Sequence, residues 1–155
     1  MQSTQTTAID AALSHAIVEQ APDAIIFADT EGVIRLWNGG AERIFGHLAA
    51  DVIGSGLEII IPEKLVQAHH NGFNHAMATG TMKYVNKVLT TRSMHKNGGT
   101  LYVDLSFGMV HDPAGKVLGA LAVARDCTER YNAERAQRVK IAELEKAVAD
   151  KAASA

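Results

Sequence analysis

The sequence predicts an α+β domain: a five-stranded antiparallel sheet with helices packed on one face, flanked by an N-terminal and a C-terminal helix. Short apolar runs of strand length fall in two groups, one near the start of the chain and one from about residue 82. Helical patterning fills the interval between them. Turn residues of hairpin type separate the strands within each group.

Taken in order, residues 8–20 carry helix formers and an apolar stripe at Ile9, Leu13, Ala16 and Ile17, and Pro22 and Asp23 end that helix. Residues 24–28 form a short buried-type strand, 29–32 a turn, and 33–37 the hairpin partner. Asn38, Gly39 and Gly40 break the second strand and open a short helix over 41–45, closed by Gly46. Residues 47–52 give another helical turn, ended by Gly54. A long helix is expected over 63–78, with Pro62 in its first turn, where a missing N–H costs nothing, and Thr79 and Gly80 as its stop. Three strands follow at 82–93, 99–110 and 116–125, joined by turns at 97–99 and 112–115. Residues 128–150 return to helix, with Ile141, Leu144 and Val148 at a/d-like spacing. The organisation is thus a flanking helix over 1–20, the domain proper over 21–127, and a C-terminal helix, a candidate short coiled coil, over 128–155. The order β-β-α-α-α-β-β-β leaves a concave space between sheet and helices, a usual place for a small ligand.

At 155 residues the chain has the size of one domain. Its 47% apolar and 21% charged residues are ordinary for a soluble globular protein. A net charge of -2 gives no reason to expect nucleic acid or an anionic membrane as partner. No apolar run approaches bilayer length, and the first residues have neither the basic nor the apolar region of a secretory signal. A single cysteine, Cys127, excludes an internal disulfide and fits a reducing compartment, so a cytoplasmic location is expected.

Four of the seven histidines fall between residues 69 and 95. On a helical wheel Leu65, Phe73 and Ala76 cluster on one arc with His69 inside it, and His70 lies about 100° further round, beside Val66 and Met77. An imidazole buried on an apolar face needs a partner, because burying it unpaired costs about 1–3 kcal/mol. Iron is one such partner and a backbone carbonyl is another, so His69 reads either as a metal ligand or as a hydrogen-bonded core histidine. His75 falls on the far side of the wheel and Lys83 opens the next strand; each is placed to reach a carboxylate or to stay solvated. Met94 and His95 lie near a hairpin turn and read as loop residues. No Walker loop, Cys-x-x-Cys or His-Glu-x-x-His is present, Ser55 and Ser106 lack an evident triad, and the glycines at 54 and 56 make a turn rather than a phosphate loop.

Residues 19–34, Trp37 with Asn38, 41–46, the Lys96 to Gly99 hairpin, and the run from Arg125 to Arg130 with its D-x-T-E-R junction together resemble the PAS domain family over about residues 19–130. That resemblance implies the PAS fold, whose members bind haem, flavin, small acids or nothing. A narrower resemblance is to haem-binding PAS domains of bacterial oxygen sensors, through the spacing from Pro62 to His69. It implies haem b, with His69 matching the iron ligand, His75 and Lys83 matching propionate contacts, and Leu105 and Phe107 matching apolar residues on the open face of the iron. Phe73, on the His69 face, joins this cofactor-binding set. Leu89 stands where oxygen sensors place an arginine for bound O2, and Lys87 where a related sensor has a methionine ligand. The expected partners are a diatomic gas (O2, CO or NO) or a small apolar molecule, a second copy of the chain joined through the flanking helices, and a downstream signalling protein. A stand-alone haem oxygenase or peroxygenase and a non-haem ligand-binding or dimerisation module remain the alternatives. Flavin photochemistry is poorly matched, because residues 46–51 lack the Asn-Cys-Arg motif of light-sensing relatives.

Overall fold

The computed structural model describes residues 3–155, with side chains from residue 10 onward, so Ile9 of the expected helical stripe lies outside the described side chains. The elements run α1 (Ser3–Gln20), β1 (Ala24–Asp29), β2 (Ile34–Trp37), α2 (Gly39–Phe45), α3 (Ala49–Val52), a 3-10 turn (Leu57–Ile60), α4 (Glu63–Thr79), β3 (Leu89–Met94), β4 (Thr100–His111), β5 (Val117–Asp126) and α5 (Thr128–Ala153). The five strands make one antiparallel sheet in the order β2-β1-β5-β4-β3. This is the expected α+β architecture with its flanking helices.

Register decides which residues face the helices. Ala24, Ile26 and Ala28 of β1 are buried and lie opposite Ala124, Ala122 and Ala120 of β5. Those alanines lie in turn opposite Leu105, Phe107 and Met109 of β4, and Leu105 lies opposite Leu89 of β3. Directly opposed residues share a face, so all of these line the inner side of the sheet. One end of that side meets Ala41, Phe45 and Val52 of α2 and α3 to form the buried core with Ile34, Trp37 and Val103. Toward the other end the cover thins: Leu105, Phe107, Met109, Ala120 and Ala122 are only half-buried although they sit on the two strands that follow β1 in the sheet.

Asn38 explains where β2 ends and α2 begins. Its buried carboxamide oxygen accepts from the backbone N–H of Ala41 (2.9 Å) and of Ile25 (2.8 Å). Its nitrogen donates to the carbonyls of Val18 (2.8 Å) and Asp23 (3.1 Å), so one side chain caps α2 and ties α1 to the sheet. Gly46 closes α2 in the left-handed region with φ 79°. Further along, Ser93 Oγ donates to the carbonyl of Ile60 at 2.5 Å and pins the 3-10 turn to β3.

Two boundaries differ from expectation. Strand β3 begins at Leu89 rather than near residue 82, because residues 83–86 form turns and Asn86 takes φ 57°. Tyr84, Val85 and Val88, which lend that stretch its strand-like look, are 37%, 54% and 69% exposed and find no face to bury against. Pro62 flanks α4 with an extended ψ of 137° instead of occupying its first turn.

Candidate functional site

Helix α4 starts and stops where its sequence dictates. Pro62 keeps the preceding chain extended, and Gly80 ends the helix at φ 69°, its N–H bonded to the carbonyl of Ala76. Ala76 is the one buried residue of the helix, while Val66, His69, Phe73 and Met77 are half-buried. The covered arc is centred near Phe73, so Leu65, expected inside it, falls on the rim and is 41% exposed.

This face closes a cleft of about 330 Å³. Its walls are the β1–β2 turn (Glu31, Gly32, Val33), the segment Gly56, Leu57 and Glu58, and His69, His70, Phe73 and Asn74 of α4. Gly32 sits at φ +80°, and a Cβ there would lie 3.6 Å from the Phe73 ring, so the turn packs against α4 through bare backbone. At Gly56 a side chain would collide with the carboxylate of Glu58, which folds back over it. Glu58 Oε2 lies 3.7 Å from His70 Nε2, at the rim where both side chains are about half exposed.

His69 is the unusual residue. Its ring stacks on Phe73 (centroids 6.2 Å apart, planes at 26°) and meets His70 edge-on at 6.0 Å. Its Nδ1 is buried with no hydrogen-bond partner. Burial, reinforced by the neighbouring His70 and opposed by Glu58, holds its pKa below the ordinary imidazole value. The neutral ring at neutral pH therefore keeps a lone pair for donation. His47 Nε2 is also buried without a partner, but that ring packs edge-on to Trp37, whose Nε1 donates to the His47 carbonyl at 3.0 Å, within the α2–α3 linkage.

The sequence-derived site residues fall into three groups. His69 and Phe73 line the cleft. Leu89, Leu105 and Phe107 share the inner face of the sheet, with Leu89 and Leu105 directly paired. His75 and Lys83 are exposed; the His75 carbonyl accepts from Thr79 Oγ1 (2.8 Å), and Lys83 lies in a turn with its ammonium 5.5 Å from the Tyr84 ring centroid instead of opening a strand. The cleft is walled by the β1–β2 turn rather than by β3 and β4, so the first two groups do not share one enclosure. Glu31, Glu58, His70 and Asn74 join the cleft. Only the glycines at 54 and 56 hinted that the chain bends toward α4 there. His95, read as a loop residue, packs its ring over Gly46, where a Cβ would lie 2.5 Å from Cε1.

A second constellation joins the sheet to α5. Arg130 Nη2 donates to Asp104 Oδ2 at 2.8 Å, and Asp104 Oδ1 accepts from Thr90 Oγ1 at 2.5 Å, linking α5, β4 and β3. The Thr90 hydrogen bond and then Arg130 hold the Asp104 pKa below the usual carboxylate range against the opposing effect of burial. Thr128 Oγ1 accepts from Tyr102 N–H (3.0 Å), the Cys127 N–H donates to the Tyr102 carbonyl (2.9 Å), and the rings of Tyr102 and Tyr131 stack 3.7 Å apart. Burial and the adjacent Asp104 carboxylate raise the Cys127 pKa, so its thiol stays protonated and serves as packing.

No helix among the described residues is long and apolar enough to cross a membrane. Among known proteins, an uncharacterized protein of Azorhizobium caulinodans is 31% identical over 129 residues, covering 83% of this chain and 17% of that protein. The sensor protein FixL of Bradyrhizobium diazoefficiens is 28% identical over 92 residues, covering 59% of this chain and 18% of that protein. The chain therefore spans less than a fifth of the length of these curated relatives. Among solved structures, an RNA-binding Light-Oxygen-Voltage receptor superposes with a TM-score of 0.69 at 22% identity, over 90% of this chain and 39% of that one. A family model described as the PAS fold matches residues 18–132. With the sheet order, the Asn38 cap and the junction at Asp126 to Arg130 already in place, that match shows that the chain belongs to the PAS fold family.

Proposed function

We propose that this sensory PAS domain holds haem b through His69 and answers to a diatomic gas. One observation carries the reading: a buried, neutral imidazole with an unpartnered nitrogen on the covered face of α4. Leaving such a nitrogen unpaired costs about 1–3 kcal/mol, and an occupant with an electron-pair acceptor removes that cost. The spacing from Pro62 to His69, which resembles haem-binding PAS domains, and the likeness to a protein named as a sensor support it.

The residues fit haem in donor chemistry and in surface. His69 supplies a neutral nitrogen ligand, and the half-covered inner face at Leu105, Phe107 and Ala122 supplies apolar area for a flat macrocycle. The cleft, about 330 Å³ and open at the His70–Glu58 rim, lies at the small end of ligand pockets, so taking up haem would require α4 to stand further from the sheet. Ala76 is its only buried residue, which leaves the helix little to hold it in place. When bound, the haem supplies an iron site that takes diatomic ligands. His69 would hold the haem, and Leu89, Leu105 and Phe107 would keep water from it without offering a hydrogen-bond donor. His75 and Lys83 are exposed, and in the proposed complex they would have to turn inward to meet the propionates. With no hydrogen-bond donor among Leu89, Leu105 and Phe107, that face would suit CO and NO better than O2.

The output path runs through β4. Leu105 of the inner face follows Asp104, and Asp104 binds Arg130 of α5, so displacement of β4 reaches the first turn of the C-terminal helix. Flavin-adduct chemistry finds no support here, because Cys127, the one cysteine of the chain, is buried at the β5–α5 junction rather than in the cleft.

The test is the absorption spectrum after reconstitution with hemin. The wild-type chain is expected to show a Soret band that His69→Ala loses while its far-ultraviolet circular dichroism stays the same. A colourless wild type, or a band that His69→Ala retains, would overturn the proposal.

A further inference from the structure

Asparagine followed by glycine occurs three times in the chain, at Asn38, Asn71 and Asn97, and the fold places the three in unlike surroundings. Such a pair carries its own reagent. The backbone nitrogen of the glycine can reach the carboxamide carbon of the asparagine and close a five-membered ring, and glycine brings no side chain to block the approach. The reaction needs freedom to turn the backbone between the two residues, which a fold either withholds or grants.

Asn38 is 1% exposed, and its carboxamide is held by four hydrogen bonds to backbone, so the amide is shut in. Asn71 is exposed but lies inside α4, where helical geometry fixes the backbone and ties the Gly72 N–H to a carbonyl one turn back. Asn97 stands at the exposed tip of the β3–β4 hairpin and is followed by two glycines. Gly98 has φ 85°, and a Cβ built on it would meet nothing within 4 Å, so its flank is open. The Gly99 N–H donates to Asn97 Oδ1 at 2.8 Å and draws electron density from the carbon to be attacked. One bond stands in the way. The Gly98 N–H donates to the His95 carbonyl at 2.9 Å, and opening that single exposed turn frees it.

We infer that Asn97 is a site of self-modification, converting to aspartate and isoaspartate in the folded chain while Asn38 and Asn71 persist. The Gly98 nitrogen gives its proton to solvent and bonds to Cγ of Asn97. The Cγ–Nδ2 bond then breaks, and ammonia leaves with a proton taken back from solvent. Water opens the resulting ring at either carbonyl, so one water enters, one ammonia departs and no electron is transferred to or from another molecule. The position gives the change a consequence. The Lys96 N–H donates to the Phe45 carbonyl at 2.9 Å and the His95 ring packs over Gly46, so the hairpin tip rests on the end of α2. Isoaspartate adds a methylene to the main chain between Lys96 and Gly98, together with a negative charge, and the lengthened tip loses its fit to α2. The age of the molecule is thereby recorded as a looser hairpin.

The test is peptide mapping by mass spectrometry of the full chain held at mildly alkaline pH, with a second sample held in urea. In the folded sample the segment with Asn97 is expected to gain one mass unit and to split into two chromatographic forms. It should do so at least about tenfold faster than the segments with Asn38 and Asn71. In urea all three should convert at similar rates, because only the fold tells them apart. Amide exchange at Lys96 should rise in the aged wild type and stay at its fresh value in Asn97→Gln aged alongside. An Asn97 that stays intact in the folded chain, or converts no faster than Asn71, would overturn the site. Aged wild type whose Lys96 exchange matches that of fresh protein would overturn the loosening.

Discussion

One carboxamide, that of Asn38, holds α1, β1 and α2 together through four hydrogen bonds, all of them to backbone. Asn38→Ala strips those partners inside a buried site, so a loss of about 2–4 kcal/mol is expected, read as a lower urea midpoint. The residue was legible in the sequence as a strand breaker. Its reach to Val18, twenty positions upstream, was not, because a contact between elements leaves no local pattern. His69 poses a separate test in the haem-free chain. Burial lowers its pKa in the folded state, so just below the ordinary value of 6.5 the unfolded chain binds more protons than the folded one. Stability is then full above about pH 6.5 and declines as the pH falls through that value toward the folded pKa. His47, also lowered chiefly by burial, adds to the decline. The thermal midpoint should therefore drop between about pH 7 and pH 5.5, and less steeply in His69→Gln.

Among the elements, those bounded by punctuating residues were the most readable. Pro62 and Gly80 delimit α4, Gly46 closes α2, and the turns at 97–99 and 112–115 set the β3–β4 and β4–β5 hairpins. The start of β3 misled because Tyr84, Val85 and Val88 have strand propensity, yet the chain turns at residues 83–86 and leaves all three exposed. The 3-10 turn at 57–60 was missed, since what places it is distant in sequence: a hydrogen bond from Ser93, thirty-three residues away, and the packing of Leu57, Ile59 and Ile60 on the core. The β5–α5 junction was recognisable as a motif, and the structure shows what it fastens. Asp104→Asn should loosen the first turn of α5 by weakening its pairing with Arg130. Amide exchange at residues 129–133 is expected to speed up by roughly tenfold while that of β1 stays unchanged, measured by mass spectrometry.

At the scale of the molecule, strand alternation and turn chemistry were enough to read the architecture, while Leu89, Leu105 and Phe107 were brought together by the family resemblance and lie on one face by the register of the structure. How α4 sits over that face was not readable. The helix has a single fully buried residue, so its position depends on weak contacts with the β1–β2 turn and with residues 56–58 that no periodicity announces. That is why the two halves of the candidate site were expected together and stand apart.

Strand β5 brings a last consequence. At three successive inward positions, Ala120, Ala122 and Ala124, it carries nothing larger than a methyl group, and the first two are only half-buried. The headroom over the middle of the sheet is therefore written into side-chain size on a strand that does not line the cleft of His69. Exchanging Ala122 for phenylalanine should plug that headroom from below and abolish hemin uptake, at a stability cost of no more than about 1–3 kcal/mol. If haem is the occupant, that single exchange would give a form of the domain that stays empty, to be set beside the wild type in any comparison of the two.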